Sequence, residues 1–142
     1  MRIVADSNIL LSATITEGPA FEVVNLVFGG QVDLVLSRET FGELADVLMT
    51  RAPFDRISKE LRGAYLGHLS ERGIWRRPVS QPIKCRDPDD QPFLDLAVAS
   101  DAEFLLTRDD DLLELGQVNV TKIRTPEDFL REFRGSRDTG RD

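Results

Sequence analysis

The 142-residue sequence holds a single cysteine, Cys85, and a single histidine, His68. One cysteine excludes an internal disulfide and a multi-cysteine metal site, and it accords with a reducing compartment. One histidine gives no basis for a catalytic triad or a histidine-rich metal site, so chemistry here must lean on carboxylates, hydroxyls and a hard metal ion. The opening stretch MRIVADSNILLS lacks a basic region followed by a long apolar run, and no segment approaches the length of a membrane span. No membrane partner is expected, and the protein is read as cytoplasmic. Positive charge is also scarce: 18 Lys and Arg against 25 Asp and Glu leave a formal charge of −7. Taken alone, that balance argues against a polyanionic partner.

The distribution of charge points the other way. Residues 51–86 carry nine basic and three acidic side chains, net +6, which leaves −13 for the rest of the chain. An acidic centre beside a basic surface produces this asymmetry, although a solvated helix face gives the same count. The length is that of one domain, able to bury roughly two thirds of the surface its unfolded chain exposes.

Short aliphatic or β-branched runs occur at RIVAD (2–6), VDLVLS (32–37), EFLLT (103–107) and VNVTKI (118–123), with GIWRRPV as a further strand or edge. Helical spacing fills the intervals: 19–28, which stops at Gly29-Gly30, then 38–50 and 58–72. This alternation predicts an α/β fold, with a central parallel sheet of four to five strands and helices on both faces. Right-handed crossovers then put the strands' carboxyl ends along one edge. One domain over 1–133 is expected, followed by a polar, frayed tail over 134–142.

Four groups of acids fall on that edge. Asp6 closes the first strand; it is either a site residue or the cap of a short helix starting at Ser7 or Asn8. In the helix after the second strand, Glu39 and Asp46 lie nearly opposite the apolar stripe of Phe41, Leu44, Ala45 and Leu48, whereas Glu43 lies on its flank. A solvated Glu43 fits the spacing equally well. In RDPDDQPFLDLAVAS (86–100), Pro92 belongs in a first helical turn, so the helix should begin near Asp89 or Asp90. Its buried stripe of Phe93, Leu94 and Ala97 then shares a face with Asp90, while Asp95 points to water and Asp87 and Asp89 suit turn or cap duties. Asp90 could share the cap, the ordinary duty of a single acid in a first helical turn, although an acid on the core face is costly unless a charge or metal meets it. The fourth group follows EFLLT: Thr107, Arg108, then Asp109, Asp110 and Asp111. Two carboxylates about 4 Å apart repel by roughly 4 kcal/mol at an effective dielectric of about 20. Such a cluster calls for cations, and oxygen-only ligation selects Mg²⁺ or Mn²⁺.

The stretches VADSNILLSA, LVLSRETFGELADVL, RDPDDQPFLDLAVA and FLLTRDDDLLEL together resemble the PIN domain (Rossmann-like) family over about residues 1–133, closest to its VapC-like toxin subgroup. The resemblance implies a metal-dependent endoribonuclease, the toxin of a toxin–antitoxin pair, which leaves 5′-phosphate and 3′-hydroxyl products. It assigns the family's four acids to Asp6, Glu43, Asp90 and Asp109 as catalytic and metal-binding residues. Ser7, Asn8 and Thr107 would support them by hydrogen bonds, Asp111 could share or replace Asp109, and Asp87 could assist. Implied partners are an RNA substrate, a cognate antitoxin and a second copy of the chain. Arg76, Arg77, Lys84 and Arg86 in the basic stretch are the expected RNA-binding residues.

Two rivals compete. A receiver-like phosphoacceptor domain shares the parallel sheet and could use Lys122, but VADSN offers one acid where that family has a pair. A catalytically inactive PIN-like interaction module would keep the fold alone.

Overall fold

The structure, a computed structural model, describes the backbone of residues 1–139 and the side chains of residues 1–136. Its strands are β1 (Arg2–Ala5), β2 (Asp33–Leu36), β3 (Ile74–Trp75), β4 (Phe104–Leu106), β5 (Gln117–Val118) and β6 (Thr121–Arg124). The helices are α1 (Ser7–Ile15), α2 (Pro19–Phe28), α3 (Arg38–Thr50), α4 (Lys59–Arg72), α5 (Gln91–Ala99), α6 (Asp110–Leu113) and α7 (Pro126–Thr139). The strands form one sheet in the order β3-β2-β1-β4-β6-β5, and every pairing is parallel except β5 with β6.

Period-2 alternation divides the core between the two faces of this sheet. Ile3, Ala5, Leu34, Leu36, Phe104 and Leu106 turn toward α1, α2, α3, α4 and α7, whereas Val4, Val35, Leu105 and Ile123 turn toward α5 and α6. Both faces are covered, which is why β1, β2 and β4 read as nearly unbroken apolar runs. On the α5 side the cover is completed by a strap, residues 76–90, that has neither helix nor strand. Helix α5 holds this strap: Gln91 Nε2 donates to Ile83 O, Gln91 Oε1 accepts from the Cys85 N–H, and Asp95 Oδ1 accepts from the Gln81 N–H.

Local chemistry explains the element ends. Ser37 and Thr40 form a reciprocal capping box at the start of α3, and α4 is capped by Ser58. Arg62 of α4 is buried and donates from Nη1 to the carbonyls of Leu48 and Met49, groups that the last turn of α3 leaves unpaired.

Four expectations change. The run VNVTKI is a hairpin, not one strand, because Asn119 turns the chain with φ 51 and Val120 stands exposed at the reversal. The sheet therefore has six strands, one antiparallel, rather than four or five parallel ones. Residues 134–139 continue α7 instead of fraying, and Arg134 pairs with Glu22 of α2 at 3.1 Å; the remainder of the expected tail, 140–142, lies outside the described residues. Asp95, placed toward water by helical spacing, is half-buried because the strap covers it.

The α4–β3 junction is the tightest approach that a side chain would disturb. A Cβ on Gly73 would lie 2.4 Å from Leu36 Cδ1 and 2.9 Å from Leu69 O. Gly73→Ala should therefore cost about 1–3 kcal/mol, read as a lower denaturant midpoint with an unchanged slope. An unchanged midpoint would mean that Leu36 yields freely and that the junction is looser than this geometry.

Candidate functional site

Asp6 follows β1 and is 5% exposed, a buried carboxylate at the sheet's carboxyl edge. Both of its oxygens are engaged: Oδ1 accepts the Ile9 N–H at 3.0 Å, capping α1, and Oδ2 accepts the Thr107 hydroxyl at 2.6 Å. The helix-cap role and the site location thus coexist in one side chain. Burial pushes the Asp6 carboxyl up from its ordinary value, while the Thr107 and Ile9 bonds draw it back. Thr107, fully buried after β4, also accepts the Asp109 N–H at 2.9 Å. One hydroxyl therefore couples the carboxyl ends of the neighbouring strands β1 and β4.

Asp109 caps the short α6 through Oδ1, which accepts the Asp111 N–H at 2.9 Å. Asp90 occupies the cap position of α5, yet its side chain makes no capping bond, and its buried Oδ2 has no hydrogen-bond partner among the described residues. Helix α5 begins one residue after Asp90, with Pro92 in its first turn. The turn duty falls to Asp87, whose Oδ1 accepts the Asp89 N–H at 2.9 Å. Asp89 is exposed at the rim, free of the cap role that spacing gave it. Burial, then the neighbouring Asp109, Asp87 and Asp6, push the Asp90 carboxyl up to about 7.

These groups converge. A cavity of about 240 Å³ is lined by Asp6, Ser7, Asn8, Glu43, Asp87, Asp89, Asp90, Phe93 and Asp109. Within reach of it, carboxylate oxygens of Asp87, Asp90, Asp109 and Asp111 all lie within 4.8 Å of one another. Glu43 reaches the cavity from α3 and is largely exposed; partial burial, Asp89 and Asp6 raise its carboxyl, and Arg51 opposes them. Ser7 is buried, with Oγ unpartnered among the described residues, and Asn8 is exposed beside it. Asp109 lines the cavity, and Asp111, with Arg86 at 3.8 Å, shares the same four-carboxylate group, so both stay candidates for the fourth acid.

The basic residues divide. Arg86 pairs with Glu114 at 2.9 Å as well as with Asp111, and Lys84 Nζ meets Ser80 Oγ at 3.2 Å. Arg76 and Arg77 follow β3 and line a separate cleft with Arg38. Arg62 is buried, and its Nη1 is engaged by the end of α3.

The sequence model of the PIN domain matches residues 2–111, about three quarters of the chain. The chain belongs to the PIN domain family. An uncharacterized protein of Methanocaldococcus jannaschii is 26% identical over 151 residues, covering 94% of this chain and 92% of that protein. The fold is similar to a chain in the crystal structure of VapBC2 from Rickettsia felis bound to a DNA fragment from their promoter. That likeness has a TM-score of 0.59 at 13% identity and covers 87% of this chain and 98% of that one.

In this PIN domain the donor set fits a hard divalent cation. The candidate donor atoms are all carboxylate oxygens, two acids sit at strand ends where rigid backbone holds them, and Asp90 offers a buried oxygen with no hydrogen-bond partner among the described residues. The PIN domain also disposes of the receiver-like reading. Lys122 lies two positions before Arg124, the residue level with Leu106 at the carboxyl end, and it sits 5.8 Å over the Phe104 ring and 3.9 Å from Glu132. It points away from the acids. No described helix is long and apolar enough to cross a membrane.

A pH dependence follows from Asp90. Its folded value of about 7 exceeds the ordinary 3.8, so the folded state binds the proton more tightly than the unfolded one. Stability should therefore be greatest below pH about 4 as far as this group is concerned, and fall as pH rises through about 7 in the metal-free protein. Asp90→Asn should flatten the fall, and the stabilisation by Mn²⁺ should grow over the same interval, since binding needs the ionised carboxylate. Melting curves of both proteins with and without Mn²⁺ check this; superimposable pH profiles would assign the repulsion elsewhere.

Proposed function

We propose that this PIN domain is a Mg²⁺- or Mn²⁺-dependent endoribonuclease, the toxin of a toxin–antitoxin pair. The observation that carries the proposal is the convergence of Asp6, Glu43, Asp90 and Asp109 on one cavity, with an Asp90 oxygen unpartnered. Membership of the PIN family and the likeness to a chain in a VapBC2 structure support the reading. The antitoxin partner rests on that same likeness, and the homodimer on the family resemblance alone.

A divalent ion bound there would lower the pKa of a coordinated water and stabilise charge on the phosphoryl oxygens. The protein groups divide the remaining work. Asp90 and Asp109 offer oxygens directed to one point, from the first turn of α5 and the start of α6. Asp6 is held by Thr107 and by the amino end of α1, so its carboxylate keeps one orientation. Glu43, the most exposed of the four and with its carboxyl raised, is placed to orient the attacking water or accept its proton. The buried Ser7 hydroxyl lies against the same cavity as a further donor.

Asp90→Asn should abolish Mn²⁺-dependent cleavage of a mixed RNA pool while the protein stays folded, and Asp6→Asn should also shrink the Mn²⁺-induced rise in melting temperature. Thr107→Val, which removes the hydroxyl and keeps the shape, should lower activity about 10–100-fold. Exposed Asp46, on the same helix as Glu43 and outside the cavity, supplies the control: Asp46→Asn should cleave normally. Gel analysis of 5′-labelled RNA reads all four variants, and full activity in Asp90→Asn would remove the basis of the proposal.

A further inference from the structure

We propose that the cleft between Arg38 and the Arg76–Arg77 pair is a phosphate-binding subsite, holding the backbone of a single-stranded RNA as it enters the acidic cavity. The proposal rests on the nuclease reading and deepens it. The cleft measures about 360 Å³ and is lined by Arg38, Glu39, Arg76, Arg77 and Pro78. Its three arginines are exposed, and none takes part in an ion pair among the described residues. Among the described residues, the one intramolecular bond from their guanidinium groups runs from Arg76 Nη1 to the Trp75 carbonyl at 3.0 Å. Arg86, Arg108, Arg124, Arg131 and Arg134 each pair with an acid instead. Three uncompensated guanidiniums facing one carboxylate, Glu39, leave the cleft net positive in a protein of charge −7. Planar guanidinium forks match phosphate oxygens in bidentate geometry.

Topology puts the cleft beside the acids. Arg76 follows β3, Arg38 follows β2 by way of Ser37, Asp6 follows β1 and Asp109 follows β4, and these four strands are consecutive and parallel. Adjacent strands lie about 4.8 Å apart, so the arginines and the acids occupy neighbouring stretches of one edge. Helix α3 joins them directly: Glu39 lines the cleft and Glu43 the acidic cavity, about 6 Å apart along the axis. An acidic cavity repels a polyanion, so a substrate strand needs a cationic hold immediately outside it. The cleft, about 360 Å³, and the cavity, about 240 Å³, are small, which suits one flexible strand better than a rigid duplex. Arg38, outside the basic stretch 51–86, completes the group; Arg86, already engaged by Asp111 and Glu114, is not part of it.

The test compares the wild type with the double variant Arg38→Ala/Arg77→Ala, using anisotropy of a fluorescein-labelled oligouridylate in Ca²⁺ between 50 and 200 mM salt, about the range over which phosphate contacts are resolved. Binding should weaken about tenfold or more, and the log–log salt slope should become shallower by roughly 1.4, at about 0.7 for each phosphate no longer neutralised. The Mn²⁺-induced rise in melting temperature should match the wild type, because no acid has changed. Unaltered affinity and slope with a normal Mn²⁺ response would overturn the cleft and leave the nuclease reading intact. Absence of both the Mn²⁺ response and cleavage in the wild type would strike that reading, and this proposal with it. Equal competition by a polyglutamate peptide of the same length would assign the cleft to an acidic protein segment. A changed oligomeric state with an unchanged slope would assign it to a subunit contact; either result overturns the proposal.

Discussion

Thr107 donates to Asp6 Oδ2 at 2.6 Å and accepts the Asp109 N–H at 2.9 Å, and this pair of bonds spans residues about a hundred positions apart in the chain. It exists because β1 and β4 pair in parallel, Ala5 level with Leu106, so that the residues just beyond both strands emerge side by side. The buried hydroxyl then satisfies one carboxylate and one backbone N–H at once, in an interior where an unpaired polar group is costly. Everything at the acidic edge is referred to this point. Asp6 gains its orientation from it, Asp109 is positioned by it, and α6 starts where Asp109 can cap it.

Around that anchor the fold accepts electrostatic conflict. Acids from β1, α3, α5 and α6 face one small cavity, and the carboxyls of Asp6, Glu43 and Asp90 are all pushed up by burial first and by their acidic neighbours to a lesser degree. A sheet that served stability alone would disperse these charges. The rigid parallel frame holds them together instead, as a cluster of carboxylates that could hold a divalent cation. Positive charge is ordered along the same edge, with the cationic cleft at β3 and β2 and the acids at β1 and β4.

The strap over 76–90 links these two regions. It leaves β3 through Arg76 and Arg77, crosses the sheet face over α5, and delivers Asp87, Asp89 and Asp90 to the cavity. Gln91 and Asp95 hold it by hydrogen bonds to its backbone, so Asp95, which looks solvent-directed in one dimension, helps fix the strap in three.

The sequence by itself determined the α/β alternation, the option of Asp6 as a helix cap, the placement of Pro92 in a first helical turn and the location of acids at strand ends. These depend on local rules: period, caps and the missing proline N–H. It also marked Asp90 as an acid on an apolar helix face, which is legible because helical spacing is regular. What only the tertiary structure decided were contacts between distant segments. The hairpin at 117–124 looked like one strand because a two-residue turn through Asn119 leaves the apolar pattern unbroken. Asp95 looked solvated because nothing in its helix reveals the strap lying over it. Arg62 counted as surface charge until α3 presented two unpaired carbonyls to it, and Arg38 joined Arg76 and Arg77 only when β2 and β3 became neighbours. A linear pattern states which face a residue occupies; which residues meet there depends on the order of strands in the sheet, and that order follows from the packing of the whole chain.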